Sequence, residues 1–465
     1  LAQAIPLGLQ HVMAMFIGNL TPLIIVMGVC GLTADAGFGE LRTALLQNAM
    51  IIAGVVTLVQ MFSIGPVGGK VPIVMGTSSG FLGVLNNTVA ACGGGILAYG
   101  AIMGACIVGG IFESVLGAFL KPLRKFFPPI VTGSVVIAIG LSLLGVGINY
   151  FCGGSGKADY GSLPNLFLGF VVLVVIVLLK HFAPQKSILS SSAILFGILA
   201  GYVVAIIMTL TLPHTGIDAD GVQYTYSWVV DFAQVKNAAW IAVPSFIGFG
   251  ALSDVKITFQ ASAIIPIGIM FIVTAIETVG DISACIEGGM NREATDSELS
   301  GGVICDGLGS AFAALFGVLP NTSFSQNVGL VSLTKVVNRF AISMGAIFLI
   351  LCGFCPKIGA LMSIMPQSVL GGAAVMMFAS ILISGIQLIT KHPIGSREIT
   401  IISVAIGLGY GLGATTGATA HLPYYVQLIF GGSGIVPCSL AAIILNIVLP
   451  KESKPVREMW ELEDK

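Results

Sequence analysis

The chain holds 465 residues, of which 56% are hydrophobic and only 9% charged, where a soluble domain carries about 25% charged residues. Twenty Lys and Arg against 21 Asp and Glu leave a net charge of -1, so no basic face exists for a nucleic-acid backbone. A soluble enzyme and a disordered chain are both excluded, which leaves an all-α polytopic membrane protein.

A membrane-spanning helix needs about 20 apolar residues. In chain order the pattern predicts fourteen such segments: 6–31, 42–63, 71–90, 97–119, 129–149, 163–182, 189–211, 258–285, 297–319, 323–337, 339–354, 367–390, 398–415 and 423–449. No cleavable leader is expected at the N-terminus. The longest polar stretch, 212–257, divides the segments into seven and seven, and within it Trp228 to Leu252 reads as an amphipathic, interfacial segment. Residues 450–465 form a charged tail.

Loop charges test the count. With the N-terminus in the cytoplasm, inside loops hold eleven Lys and Arg, from Lys70 to Arg397, against five outside: Arg42, Lys157, Lys236, Lys256 and Lys357. Four more lie in the tail, which an even count also places inside. That bias fits the positive-inside rule for both termini cytoplasmic.

Seven plus seven gives the halves opposite orientations, the inverted-repeat arrangement of secondary transporters. Alignment of Pro128 with Pro366 matches Val131 to Val369, Gly133 to Gly371, Gly147 to Gly385 and Ile148 to Ile386, all in the fifth span of each half. The third span of each half carries a small, polar, Gly-bearing stretch, Pro72–Gly80 and Pro320–Gly329. Neither can cross as one regular helix. Each is expected to be a short extended stretch followed by a half-helix, with backbone N–H groups facing a midplane substrate.

Nine Cys are scattered, mostly in apolar runs, where Cys acts as a small hydrophobe. The Cys352–Cys355 pair lacks the second CxxC or His pair of a metal site, so no metal and no cofactor is expected.

Ionisable groups are costly in a bilayer and each needs a reason. Glu277 and Asp281 are spaced i, i+4, so both carboxylates share one helix face. Two such groups in low dielectric rarely both ionise, which suits a proton carrier; a pair of satisfied structural carboxylates is the alternative. Asp306, between glycines, fits proton binding or the support of exposed backbone N–H groups equally. Gln326 and Asn327 stand where the tenth span turns from extended to helical. Their amides could read a heterocycle edge or cap a helix. His11 is the lone His of the first span, with a packing role as its alternative. Glu113 in the fourth span has no evident partner.

The run Gln326-Asn-Val-Gly-Leu-Val-Ser-Leu-Thr-Lys335 matches the defined positions of the signature of the nucleobase–ascorbate transporter family. Gln10-His11, the Thr77-Ser78-Ser79 stretch, Glu277, Asp281 and Asp306 agree with it, and the chain resembles that family from about residue 6 to 449. The resemblance implies a core domain (1–120 and 258–354) and a gate domain (121–211 and 355–449), joined by the connector 212–257. It also implies a homodimer and an elevator-type motion. Glu277 and Gln326 would bind the base with Ser325, Ser78 and Ser79; Asp281, Asp306, Asn327 and His11 would support the site or couple protons. Family members with Gln at 326 and Asp at 281 resemble xanthine and urate carriers, so the implied activity is proton-coupled purine import across a bacterial inner membrane. One departure is Gly80, where the family often has an aromatic residue that stacks on the base. A channel, a membrane enzyme and an anion exchanger of the same architecture are the competing classes. No phosphate loop or nucleophile motif supports an enzyme, and a carboxylate at the ligand position argues against an anion site.

Overall fold

A computed structural model describes residues 4–450 apart from 124–127, 155, 185–186, 218–221, 326, 329–330, 332–334, 391–392, 416, 424–425, 428–429 and 431–433. The chain is a helical polytopic membrane protein. Its first half carries α1 (Ala4–Val29), α2 (Gly39–Phe62), strand β1 (Met75–Thr77), α3 (Leu82–Ala91), α4 (Gly95–Ala118), α5 (Pro129–Phe151), α6 (Leu163–Phe182) and α7 (Ala193–Thr211). A connector with the hairpin β2 (Thr215–Ile217) and β3 (Gln223–Thr225) follows. The second half carries α8 (Ala261–Met290), α9 (Asp296–Leu315), β4 (Asn321–Ser323), α10 (Arg339–Gly353), α11 (Pro356–Ser363), α12 (Gln367–Thr390), α13 (Ser396–Ala414) and α14 (Ile435–Val448).

Among the described residues eight helices are long and apolar enough to span a bilayer. A ninth arises if α10 and α11, which meet at 82°, count as one span. Residues 339–354, read from sequence as one complete segment, are therefore the first arm of a bent pair broken at Cys355-Pro356. Pro cannot continue the preceding helix but suits the first turn of the next. Pro129 opens α5 in the same manner. A capping box between Thr295 and Glu298 starts α9, with Arg292 clamping the Glu298 carboxylate.

The helices pack in two groups. In one, α4 lies against α8 and α9, α10 lies against α1 and α2, and α1–α2 and α8–α9 also touch. In the other, α5 and α12 form the most extensive pairing, flanked by the α6–α7 and α13–α14 pairs. Glycine permits the α5–α12 approach: a Cβ on Gly133 would stand 2.9 Å from the carbonyl oxygen of Gly385, and one on Gly371 would stand 2.0 Å from the Phe151 nitrogen.

The connector is tied at both ends. Ser227 and Asn165 share the carboxylate of Asp159, which fixes the hairpin end to the start of α6. Beyond it, Asn48 Nδ2 donates to the Ser245 carbonyl at 2.8 Å and Ile247 N to the Leu315 carbonyl at 3.0 Å. Trp228 and Leu252, the ends of the amphipathic segment, are buried, while Trp240 between them is 74% exposed under the Lys357 ammonium.

Candidate functional site

The site is built where two buried strands meet among the helices. β1 and β4 pair antiparallel, Met75 with Ser323, Gly76 with Thr322 and Thr77 with Asn321. The ladder is extended at each end, by Ser78 N to the Pro320 carbonyl at 2.8 Å and by Phe324 N to the Val74 carbonyl at 3.0 Å. Two short strands leave backbone groups that no water can satisfy in hydrocarbon, and side chains from neighbouring helices take them. Thr57 Oγ1 on α2 accepts from Met75 N and donates to Met75 O. Ser310 Oγ on α9 accepts from Asn321 N and donates to Asn321 O. Asn19 Oδ1 on α1 accepts from Thr77 N at 2.7 Å.

Against these strands α8 lays one polar face. Glu277, Asp281 and Asp306 are all buried. Ser325 Oγ donates towards Glu277 Oε1 at 3.3 Å and Asp281 Oδ2 at 2.9 Å. Ser323 Oγ donates to the same Asp281 oxygen at 2.7 Å and sits 3.2 Å from Thr278 Oγ1, which donates to Asp306 Oδ2. Three carboxylates and three hydroxyls thus form one continuous row: Asp306, Thr278, Ser323, Asp281, Ser325, Glu277.

At one end of the row Glu277 Oε2 has no hydrogen-bond partner among the described residues. Gly80 faces it: a Cβ there would stand 3.6 Å from Glu277 Oε2 and 3.5 Å from Ser78 Oγ. Met270 Cε lies at 3.5 Å from the same point, so the three neighbours stand at ordinary contact distance. The aromatic that follows, Phe81, is turned away, buried edge-on against Phe271 at 4.8 Å between ring centroids.

The structure therefore brings together Glu277, Asp281, Asp306 and Ser325, with Ser78 at the rim. Ser79 is half-buried, and no hydrogen bond of its side chain reaches the carboxylates among the described residues. Asn327 Nδ2 donates to the His11 carbonyl at 2.9 Å, so it ties the chain after β4 to α1. The His11 ring is fully buried with neither nitrogen partnered among the described residues, and it is not joined to the carboxylate row. Gln326 lies outside the described residues.

Sequence reading missed Thr278, Ser323, Thr57, Ser310 and Asn19. Thr274 and Thr278 carried a usable signal, a four-residue spacing on the helix that bears Glu277 and Asp281. Ser323 shows its role only once β4 pairs, because its partners are on another element.

Comparison with known proteins finds relatives over nearly the whole chain. A profile described as Permease family (Xan_ur_permease) matches residues 2–417. The chain is 35% identical to the xanthine permease of Bacillus subtilis over 97% of its own length and 95% of that protein's. It is 34% identical to the uric acid permease PucK of the same organism, over 96% and 95%. In three dimensions it resembles the transmembrane domain of the cyanobacterial bicarbonate transporter BicA, with TM-score 0.51 and 16% identity over 96% and 97% of the two chains. At that identity the likeness concerns the fold alone.

Proposed function

The chain belongs to the Permease family (Xan_ur_permease), and from that premise we propose that it imports a purine nucleobase, xanthine or urate, by proton symport. The observation that carries the reading is the unbroken row of carboxylates and hydroxyls beside the paired strands. The row has five oxygen–oxygen contacts and only three hydroxyl protons, so a proton on Asp306 or Asp281 would let the hydroxyls turn and fill the Thr278–Ser323 contact. Such a row stores protons in the absence of any basic side chain on α8 or α9. Glu277, with its free oxygen beside Gly80, accepts ring N–H groups of the base. Gln326 and Ser325 read the opposite edge from the start of the tenth span, and Ser78 and Ser79 line the third-span side. Asp281 and Asp306 carry the coupling proton. Asn327 and the His11 segment hold the tenth span in place.

For architecture we propose fourteen spans in two inverted repeats of seven. The packing supports this: exchange of α1 with α8, α2 with α9, α4 with α10, α5 with α12, α6 with α13 and α7 with α14 turns the α4–α9, α4–α8, α6–α7 and α6–α12 contacts into α10–α2, α10–α1, α13–α14 and α13–α5, all of which occur. The clasp obeys the same exchange, with Thr57 holding both backbone groups of Met75 and Ser310 those of Asn321. The two helix groups would be a core domain carrying the site (1–120, 258–354) and a gate domain (121–211, 355–449), sliding as an elevator within a homodimer with cytoplasmic termini.

The test is uptake of labelled xanthine, urate, uracil and ascorbate into vesicles with and without a pH gradient. Purine accumulation that collapses with a protonophore is expected. Transport confined to uracil, ascorbate or inorganic anions would overturn the reading.

A further inference from the structure

One buried carboxylate stands outside the row. Glu113 on α4 is 0% exposed. Its Oε1 accepts from Thr274 Oγ1 at 3.3 Å, and its Oε2 has no partner among the described residues. Glu113 lies at the tightest crossing of α4 and α9: a Cβ on Gly307, the neighbour of Asp306, would stand 2.3 Å from the Gly110 carbonyl oxygen and 2.6 Å from the nitrogen of Ser114, the neighbour of Glu113. Asp306 and Glu277 are the acidic groups that act on Glu113 electrostatically.

Among the described residues no cation faces it. The helices packed on α4 are α3, α8 and α9, and none of these four contains Lys, Arg or His. The segment before α8 also meets α4, with Thr258 N donating to the Gly100 carbonyl, but its Lys256 is exposed and Gly100 lies more than three turns from Glu113. From α8 the facing groups are Glu277 and, one turn on, Asp281; from α9, Asp306; α3 offers no titratable side chain. Cys106, Cys285 and Cys305 on these helices are buried thiols. Glu287, Asp296 and Glu298 stand at helix ends, about two turns or more from Glu277 and Asp306. Lys121, beyond the end of α4, is exposed and pairs with Asp296 at 4.0 Å. An ionised carboxylate buried among carboxylates, with one hydroxyl donor, is severely destabilising. A carboxyl that holds a proton is not.

We propose that Glu113 is a proton-binding site of the transport cycle. Its carboxylate takes a proton from the aqueous phase to become a carboxylic acid and returns it on release, and its charge sets how firmly Asp306 and Glu277 hold theirs. It touches no substrate and acts through those two side chains. This inference rests on the proton-symport reading above.

The experiment compares wild type with Glu113→Gln, a near-isostere of the protonated acid, in proteoliposomes. Purine-for-purine exchange, which needs no net proton movement, is expected to stay within about twofold of wild type. Accumulation driven by an inward proton gradient is expected to fall about tenfold or more, the effect of one unit of proton affinity. The pH at which exchange is half-maximal should move to a more acid value, because a permanently neutral neighbour no longer helps Asp306 and Glu277 keep protons. Accumulation and a pH profile equal to wild type would show a structural carboxyl and overturn the inference. If Glu113→Gln fails to reach the membrane, Thr274→Val reads the same site by removing its hydroxyl donor; an unmoved pH profile there also overturns it. Wild-type vesicles separate the two levels: no proton-driven purine accumulation in them sinks the symport reading itself.

Discussion

Ser323 Oγ donates to Asp281 Oδ2 at 2.7 Å, which fastens the last residue of β4 to the middle of α8. The same hydroxyl lies 3.2 Å from Thr278 Oγ1, so it bridges the Asp306 end of the row and the Asp281 end. Ser323→Ala should break that bridge and strip Asp281 of a donor. A hydrogen bond to a charged group is worth about 1.5–3 kcal/mol, roughly a 10- to 150-fold effect. The expected result is a large loss of proton-driven accumulation with the protein still in the membrane. Uptake equal to wild type would mean that protons do not pass along the row.

Glu277→Gln should abolish or severely impair uptake. The carboxamide keeps the shape but replaces an acceptor oxygen with a donor beside Ser78 and Gly80. It also places its amide near Ser325 Oγ, which now donates to Oε1. Thermal unfolding in detergent separates lost function from lost fold. Near-normal uptake would sink Glu277 as the central ligand.

Coupling should follow protons rather than sodium. A sodium site collects several oxygens, neutral ones among them, around one point, whereas the oxygens here are strung in a line, each hydroxyl linking two neighbours. Uptake at fixed pH should be indifferent to replacement of sodium by potassium and should fall with a protonophore. Uptake that tracks sodium would remove the proton row from the mechanism.

Much of this site was legible in the sequence, and the remainder was not for identifiable reasons. Glu277 and Asp281 declared themselves because charge in an apolar run is expensive and their spacing fixes a common face. The Pro72–Gly80 and Pro320–Gly329 stretches declared themselves because neither can complete a helix. Thr57 and Ser310 did not, since a hydroxyl in an apolar helix is ordinary until a strand edge is placed beside it. His11 was legible only as a rare residue in an apolar run; that its backbone carbonyl accepts from Asn327 could not be read from spacing, because the two lie 316 residues apart in sequence. Gly80 likewise shows its neighbours, Ser78 and Glu277, only in three dimensions.

The last prediction concerns Gln326. It lies outside the described residues; in sequence it falls between Ser325, which bonds the Glu277 and Asp281 carboxylates, and Asn327, which bonds the His11 carbonyl. An amide offers a donor and an acceptor to a base edge. Gln326→Glu keeps the length, removes the NH₂ donor and adds a negative charge. Purines that use the donor would leave a buried group unpaired, at about 1–3 kcal/mol, a loss of roughly 5- to 150-fold in affinity. Bases that offer an N–H at that position would lose less, so the rank order of competitors should change. Lys157→Ala, in the loop before α6, serves as the control that leaves the order untouched. Competition of several purines and pyrimidines against labelled substrate decides the matter: if Gln326→Glu scales every competitor equally, Gln326 caps the half-helix and specificity resides in Glu277 and the third-span serines.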